Sequence, residues 1–181
     1  MFNNIQSLVI RDLFVSSSPA LISLPFLING LTQFSENEPK ALWQPPDYTF
    51  GIIWPIIYLS LFSMNFLLLQ DKYIPLFFKD IIIKDTLFES MFQGLWLFNF
   101  RYKKEINGRT KNQYLYSMLS MIFLSLFSYI RIIKFTSFKT VSIFKYLYFY
   151  LPYLVWINFA NILSIQLYIG YTKSKSLNST F

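Results

Sequence analysis

The chain has 181 residues, of which 54% are hydrophobic, 21% aromatic and only 14% charged, with a net charge of +7. Water-soluble domains carry roughly 25% charged residues, so this composition excludes an ordinary soluble globule, and the length is that of one domain. Cysteine and histidine are absent, which removes disulfides, thiolate metal sites, the usual general base and the commonest zinc and haem ligands.

The first uncharged run covers 13–35. Residues 1–7 carry no basic region of the signal-peptide kind and the run is too long for one, so it reads as a retained membrane span. SSSP at 16–19 and Pro25 predict a kink or a late start, and the small hydroxyls suit close helix packing. The connection 36–47, ENEPKALWQPPD, is polar and stiffened by Pro39, Pro45 and Pro46. The Pro45-Pro46 pair cannot lie inside a helix, whereas a helix beginning just after it is natural.

The second run, 48–70, places Phe50, Trp54 and Tyr58 at i, i+4 and i+8, along one helix face. The plain alternative is a belt of aromatic residues at headgroup depth. YIPLFFKD at 73–80 reads as an interfacial segment. The third span, 81–100, is interrupted by Lys84 and Asp85, expected at the headgroups, and by Glu89, a carboxylate within the span that reads either as a functional group or as a side chain reaching toward Arg101 or Lys84. RYKKEINGRTK at 101–111 is the densest basic cluster, suited to anionic headgroups or to a solvated loop. The fourth span covers 112–130 and the fifth 146–172, each long enough at about 1.5 Å per residue to cross about 30 Å of hydrocarbon. In the last span Pro152, Trp156, Ala160, Leu163 and Leu167 share one face. Asn158 and Asn161 lie opposite, as interhelical glue or ligand contacts.

Residues 1–181 thus read as a single all-α domain, an integral membrane bundle of five transmembrane helices with its termini on opposite sides of the lipid bilayer. One side holds Arg11, Lys72, Lys79, Lys84, Arg131, Lys134, Lys139 and Lys145. The other holds Lys40, Arg101, Lys103, Lys104, Arg109, Lys111, Lys173 and Lys175, so loop charge assigns no orientation. Charges split between two membrane faces do not make a nucleic-acid surface. No internal repeat marks an inverted-repeat transporter.

Two motifs carry a resemblance. W-x-P-P-x-x-x-F-G-x-x-W-x-x-x-Y at 43–58 and L-P-Y-L-x-W-x-x-F-A-x-x-L at 151–163 resemble the translocator protein/tryptophan-rich sensory protein (TspO/MBR) family, in the spans where that family has them. The resemblance implies a five-helix bundle, often a homodimer. Its cavity is closed by the first loop and binds tetrapyrroles such as protoporphyrin and haem, and in some members sterols. Carried over position by position, it nominates Trp43, Pro45, Pro46, Tyr48, Trp54 and Tyr58, then Gln93, Trp96 and Phe100, then Trp156, Ala160 and Leu163 as ligand-binding residues. A large flat apolar macrocycle requires such ring faces, with a few polar groups to orient its edge. The chain departs from the family pattern at Gln93 and Ser164, where the family has asparagine, and in the first loop, which lacks a tryptophan-tyrosine pair and a Lys-Pro.

The leading expectation is therefore a membrane receptor or carrier for porphyrin or haem, with no obligatory cofactor and no resident metal. Degradation of bound porphyrin driven by light and oxygen is the enzymatic alternative, although no catalytic pair stands out. Small-molecule transport is the third reading. Leu163, Tyr168 and Lys173 fit a loose leucine-tyrosine-basic sterol pattern that aromatic-rich membrane proteins often contain by chance.

Overall fold

The computed structural model describes the backbone of residues 2–28, 40–101, 109–137 and 141–178, and side chains over 6–25, 40–46, 48–100, 109–137 and 146–173. Five helices account for nearly all of it: α1 (Phe2–Ile28), α2 (Asp47–Gln70), α3 (Leu76–Arg101), α4 (Lys111–Ser137) and α5 (Val141–Asn178). Four of them contain stretches long and apolar enough to cross a membrane: Gln6–Pro25, Tyr48–Gln70, Lys111–Ser137 and Tyr146–Lys173. The stretch in α3 falls short because of its charges. The end of the expected first span (29–35) and most of the basic cluster (102–108) lie outside the described residues.

Local chemistry explains the helix limits. Pro46 immediately precedes α2 in an extended conformation, as the Pro-Pro pair predicts. At the far end of α2, the Asp71 amide bonds the Leu67 carbonyl at 3.0 Å, the Asp71 carboxylate accepts the Tyr73 amide at 2.9 Å, and Pro75 opens α3 directly. The expected interfacial segment at 73–80 is therefore the end of a tight turn that begins at Asp71, then Pro75 and the first turn of α3. Lys79 reaches back to donate to the Leu69 carbonyl at 2.6 Å, occupying one of the carbonyls a helix end leaves free. Thr110 and Gln113 bond each other's backbone amides at 3.3 and 2.8 Å, a reciprocal cap that starts α4.

α1 begins well before residue 13 and continues through Pro19 rather than starting late. Pro19 has no amide to give the Val15 carbonyl, but the Ser18 hydroxyl donates to that carbonyl at 2.8 Å. The Ser23 hydroxyl in turn donates to the Pro19 carbonyl at 2.7 Å.

The helices close a ring in the order α1, α2, α5, α4, α3 and back to α1, with α2 and α3 also touching across it. Ser18 meets Ser90 and Ser23 meets Gln93, so α1 and α3 run parallel, while Gln70 at the end of α2 meets Asp12 near the start of α1. Gly94 allows α1 to lie against α3: a Cβ there would stand 2.5 Å from Ile22 Cγ2. On α4, Ser117, Ser125 and Ser128 face inward and let neighbouring helices approach closely.

Polar side chains are buried within an apolar core, while large apolar side chains cover the outside. Asp12, Asn65, Glu89, Gln93 and Arg131 are buried, whereas Ile52, Ile56, Leu59, Leu126, Ile133 and Val155 are exposed. Three expectations change in consequence. Arg131 and Lys134 belong to α4 and not to a loop, and each pairs with a carboxylate of α3. Asp85 is buried rather than at a headgroup, with both carboxylate oxygens on Lys134 at 2.7 and 3.0 Å. Glu89 turns to Arg131 rather than to Arg101 or Lys84, with 2.6 Å between Oε2 and Nη1.

Candidate functional site

Trp54 lies in the first third of α2, Trp96 near the end of α3 and Trp156 near the centre of α5. Because α3 runs back along α2 and α5 borders α2, the three indoles reach one depth. Trp54 stands 5.6 Å from Trp96 and 6.2 Å from Trp156, centroid to centroid. Tyr58 stacks on Trp54 at 5.4 Å, Phe100 on Trp96 at 5.1 Å, and Phe50 meets Trp156 edge-on at 5.5 Å. All six rings are buried, as are Ala160 and Leu163. These distances lie within the range in which aromatic pairs attract beyond their buried area.

Polar groups border the rings on both sides. Gln93 Nε2 donates to the Tyr58 hydroxyl at 2.5 Å and to the Ser23 hydroxyl at 3.3 Å. The Trp96 indole donates to Ser164 Oγ at 3.3 Å, so the serine that departs from the family pattern supplies an acceptor. Within this cluster the Gln93 carbonyl oxygen and the Trp156 indole nitrogen are buried with no hydrogen-bond partner among the described residues. One acceptor and one donor are thereby unspent beside the cluster.

The entrance residues divide. Trp43 is 40% exposed and touches Phe159 edge-on at 5.3 Å, and Phe159 stacks on Trp156 at 4.9 Å. Trp43 is thus joined to the buried cluster through one ring. Pro45 is half-buried, Pro46 exposed and Tyr48 62% exposed. Tyr48 lies apart from the rings that the other residues bring together. Arg109, the described part of the basic cluster with Thr110 and Lys111, is buried, with its guanidinium 4.8 Å from the Phe100 ring centroid and its Nε on the Phe100 carbonyl.

A second constellation escaped the sequence. Glu89 accepts from Arg131, from Ser128 at 3.0 Å and from Tyr150, while Arg131 also donates to Asn65, which accepts from Thr86 at 3.2 Å. Residues from α2, α3, α4 and α5 meet there, and Arg131 has no solvent exposure. The signal for it was present: Arg131 follows Ser117, Leu124 and Ser128 on one helical face of α4. Asn158 and Asn161 face α4, bonding Tyr129 at 3.0 Å and Ser125 at 3.2 Å, which is the interhelical role.

No family model matches the chain, and no similar protein emerges among curated sequences or solved structures.

Proposed function

We propose that this chain is a multi-pass membrane protein with five crossings that binds tetrapyrroles such as protoporphyrin or haem in its aromatic half, as a sensory or carrier protein of the TspO/MBR kind. The observation that carries the reading is the meeting of Trp54, Trp96 and Trp156, from three helices, around a bonded Gln93–Tyr58 pair. Those residues come from the two motifs and from the third span, and their rings offer the stacking faces a flat macrocycle requires. The unspent Gln93 oxygen and Trp156 N–H suit the pyrrole N–H groups and edge substituents of such a ligand. Because the rings touch, a macrocycle enters by rotating at least one indole aside.

The broadly apolar exterior supports the bilayer setting, since exposed Leu and Ile on this scale would be a liability in water. For α3 the support is its length of 26 residues, its place in the ring, and the pairing of Asp85 and Glu89 with cations from α4. Paired charges facing a bundle interior are tolerated at membrane depth. Reporter fusions at the two termini should appear on opposite sides; the same side would remove the fifth crossing.

The binding test is titration of purified protein with protoporphyrin and with haem. Both should quench tryptophan fluorescence saturably and with similar affinity, since histidine and cysteine are absent as iron ligands. A folded Trp54→Leu, Trp96→Leu, Trp156→Leu triple variant that binds as well as the parent would move the site elsewhere. A strong preference for haem would require an iron ligand that this reading lacks.

A further inference from the structure

Arg131 and Asn65 are both fully buried, and their bonds use only part of what they offer. Arg131 donates through Nη1 to Glu89 and through Nη2 to Asn65 Oδ1, while its Nε meets no acceptor among the described residues. Asn65 accepts through Oδ1 from Arg131 and Thr86, while its Nδ2 finds no acceptor among the described residues. Two N–H groups from two helices are left without acceptors, a costly condition that native interiors nearly always relieve.

The carboxylate that Arg131 faces is already engaged. Glu89 Oε1 takes Ser128 and Tyr150, and Oε2 takes Arg131. The charges are matched as well, Glu89 with Arg131 and Asp85 with Lys134. The place therefore calls for one more oxygen acceptor, whereas a second full negative charge would be left unpaired in a dry interior.

We propose that Arg131 and Asn65 bind the uncharged carbonyl oxygen of an apolar ligand, of the long-chain ester or ketone class, and that Glu89 excludes the corresponding carboxylate. This rests on the reading that the ring admits an apolar ligand at its tryptophan end. The dimensions agree. Glu89 and Trp96 stand seven residues apart on one helix, about 10 Å, so a carbonyl at Arg131 puts the middle of a long chain among the indoles.

Stearic acid brominated at mid-chain, its methyl ester and a brominated alkane of equal length are suitable probes, because bromine quenches nearby indoles. In detergent at alkaline pH, where the acid is ionised, the ester should quench saturably and about tenfold more tightly than either comparator, the scale of one satisfied buried donor. E89Q leaves Arg131 without its counter-ion, so the ionised acid should gain more than about tenfold and overtake the ester. The E89M/R131M double variant removes the guanidinium and its counter-ion together and should remove most of the ester's advantage over the alkane. Equal binding of ester and alkane to the parent protein overturns the proposal, as does an acid affinity unmoved in E89Q. Should E89Q fail to fold, the double variant decides alone: an undiminished ester advantage in it overturns the proposal. A parallel protoporphyrin titration separates the two readings. Porphyrin binding without ester preference removes the carbonyl site and leaves the tetrapyrrole site. Ester preference without porphyrin binding does the reverse.

Discussion

The two ends of the ring interior are tied together by different contacts. Where α2 begins and α3 ends, Phe50, Trp54, Tyr58, Trp96, Phe100 and Trp156 are held by ring contacts. Where α2 ends and α3 begins, Asp12, Asn65, Asp85, Glu89 and Arg131, each with named partners, are set among buried Leu68, Phe78, Ile82 and Phe135. Ring contacts are numerous, weak and non-directional, so one ring can turn without stranding another group. Ionic contacts are few and directional, and losing one partner leaves the other buried and unpaired. The aromatic half can therefore yield to a ligand while the ionic half holds the four helices in register. The Gln93–Tyr58–Ser23 layer is the boundary between them.

The sharpest way to break this contrast is to strand one charge. Arg131→Met should cost about 3–5 kcal/mol, because Glu89 is left without its cation. Combining it with Glu89→Met should recover most of that loss, although the Tyr150 and Ser128 hydroxyls then need new acceptors. Thermal unfolding in detergent reads both. If the double variant is no more stable than Arg131→Met, the pair is not the unit proposed here.

A smaller effect is expected at the seam that joins the halves to α1. Gly94→Ala places a Cβ 2.5 Å from Ile22 Cγ2. The branched Ile22 side chain has little freedom to retreat without moving α1. Overpacking of this kind costs about 1–3 kcal/mol, and adding Ile22→Ala should restore much of it. Equal melting temperatures for parent and Gly94→Ala would mean that α1 shifts freely against α3.

The aromatic half was legible in the sequence and the ionic half was not, for a physical reason. Rings at i, i+4 and i+8 on one helix announce a shared face, and tryptophan at matching depth on a neighbouring helix announces a meeting. Glu89 and Arg131 sit 42 residues apart, each on a helix whose other charges mark it as an end. Charge density drew the boundary of the fourth span at residue 130, when the helix runs on to Ser137. An arginine at full burial becomes intelligible only when its partner is placed. The helix starts after Pro46 and the inward role of Asn158 and Asn161 were readable because each depends on local geometry alone. The Thr110–Gln113 cap was equally local and was overlooked, its signal being threonine and glutamine three apart. Tyr48 stands at the mouth of a motif, but its helical phase differs from that of Trp54 and leaves it 62% exposed.

The smallest effect on stability should come at Trp43, and it is the one that tests the roof of the aromatic half. Trp43 touches Phe159 edge-on at 5.3 Å and is 40% exposed, so Trp43→Ala should cost less than about 1.5 kcal/mol, the upper worth of an aromatic pair. Its effect on porphyrin should be disproportionate. Phe159 stacks on Trp156, and an indole resting on Phe159 restrains the ring that a bound macrocycle would use to leave. Off-rates carry most changes within one interface, so stopped-flow dissociation should quicken in Trp43→Ala while association changes little. Replacing Pro45 and Pro46 by alanine should act in the same direction, by freeing the backbone that holds Trp43 in place. A plain interfacial anchor makes the opposite pattern: dissociation unchanged in both variants, with the loss confined to melting temperature. That result would end the roof at Phe159 and leave Trp43 outside the site.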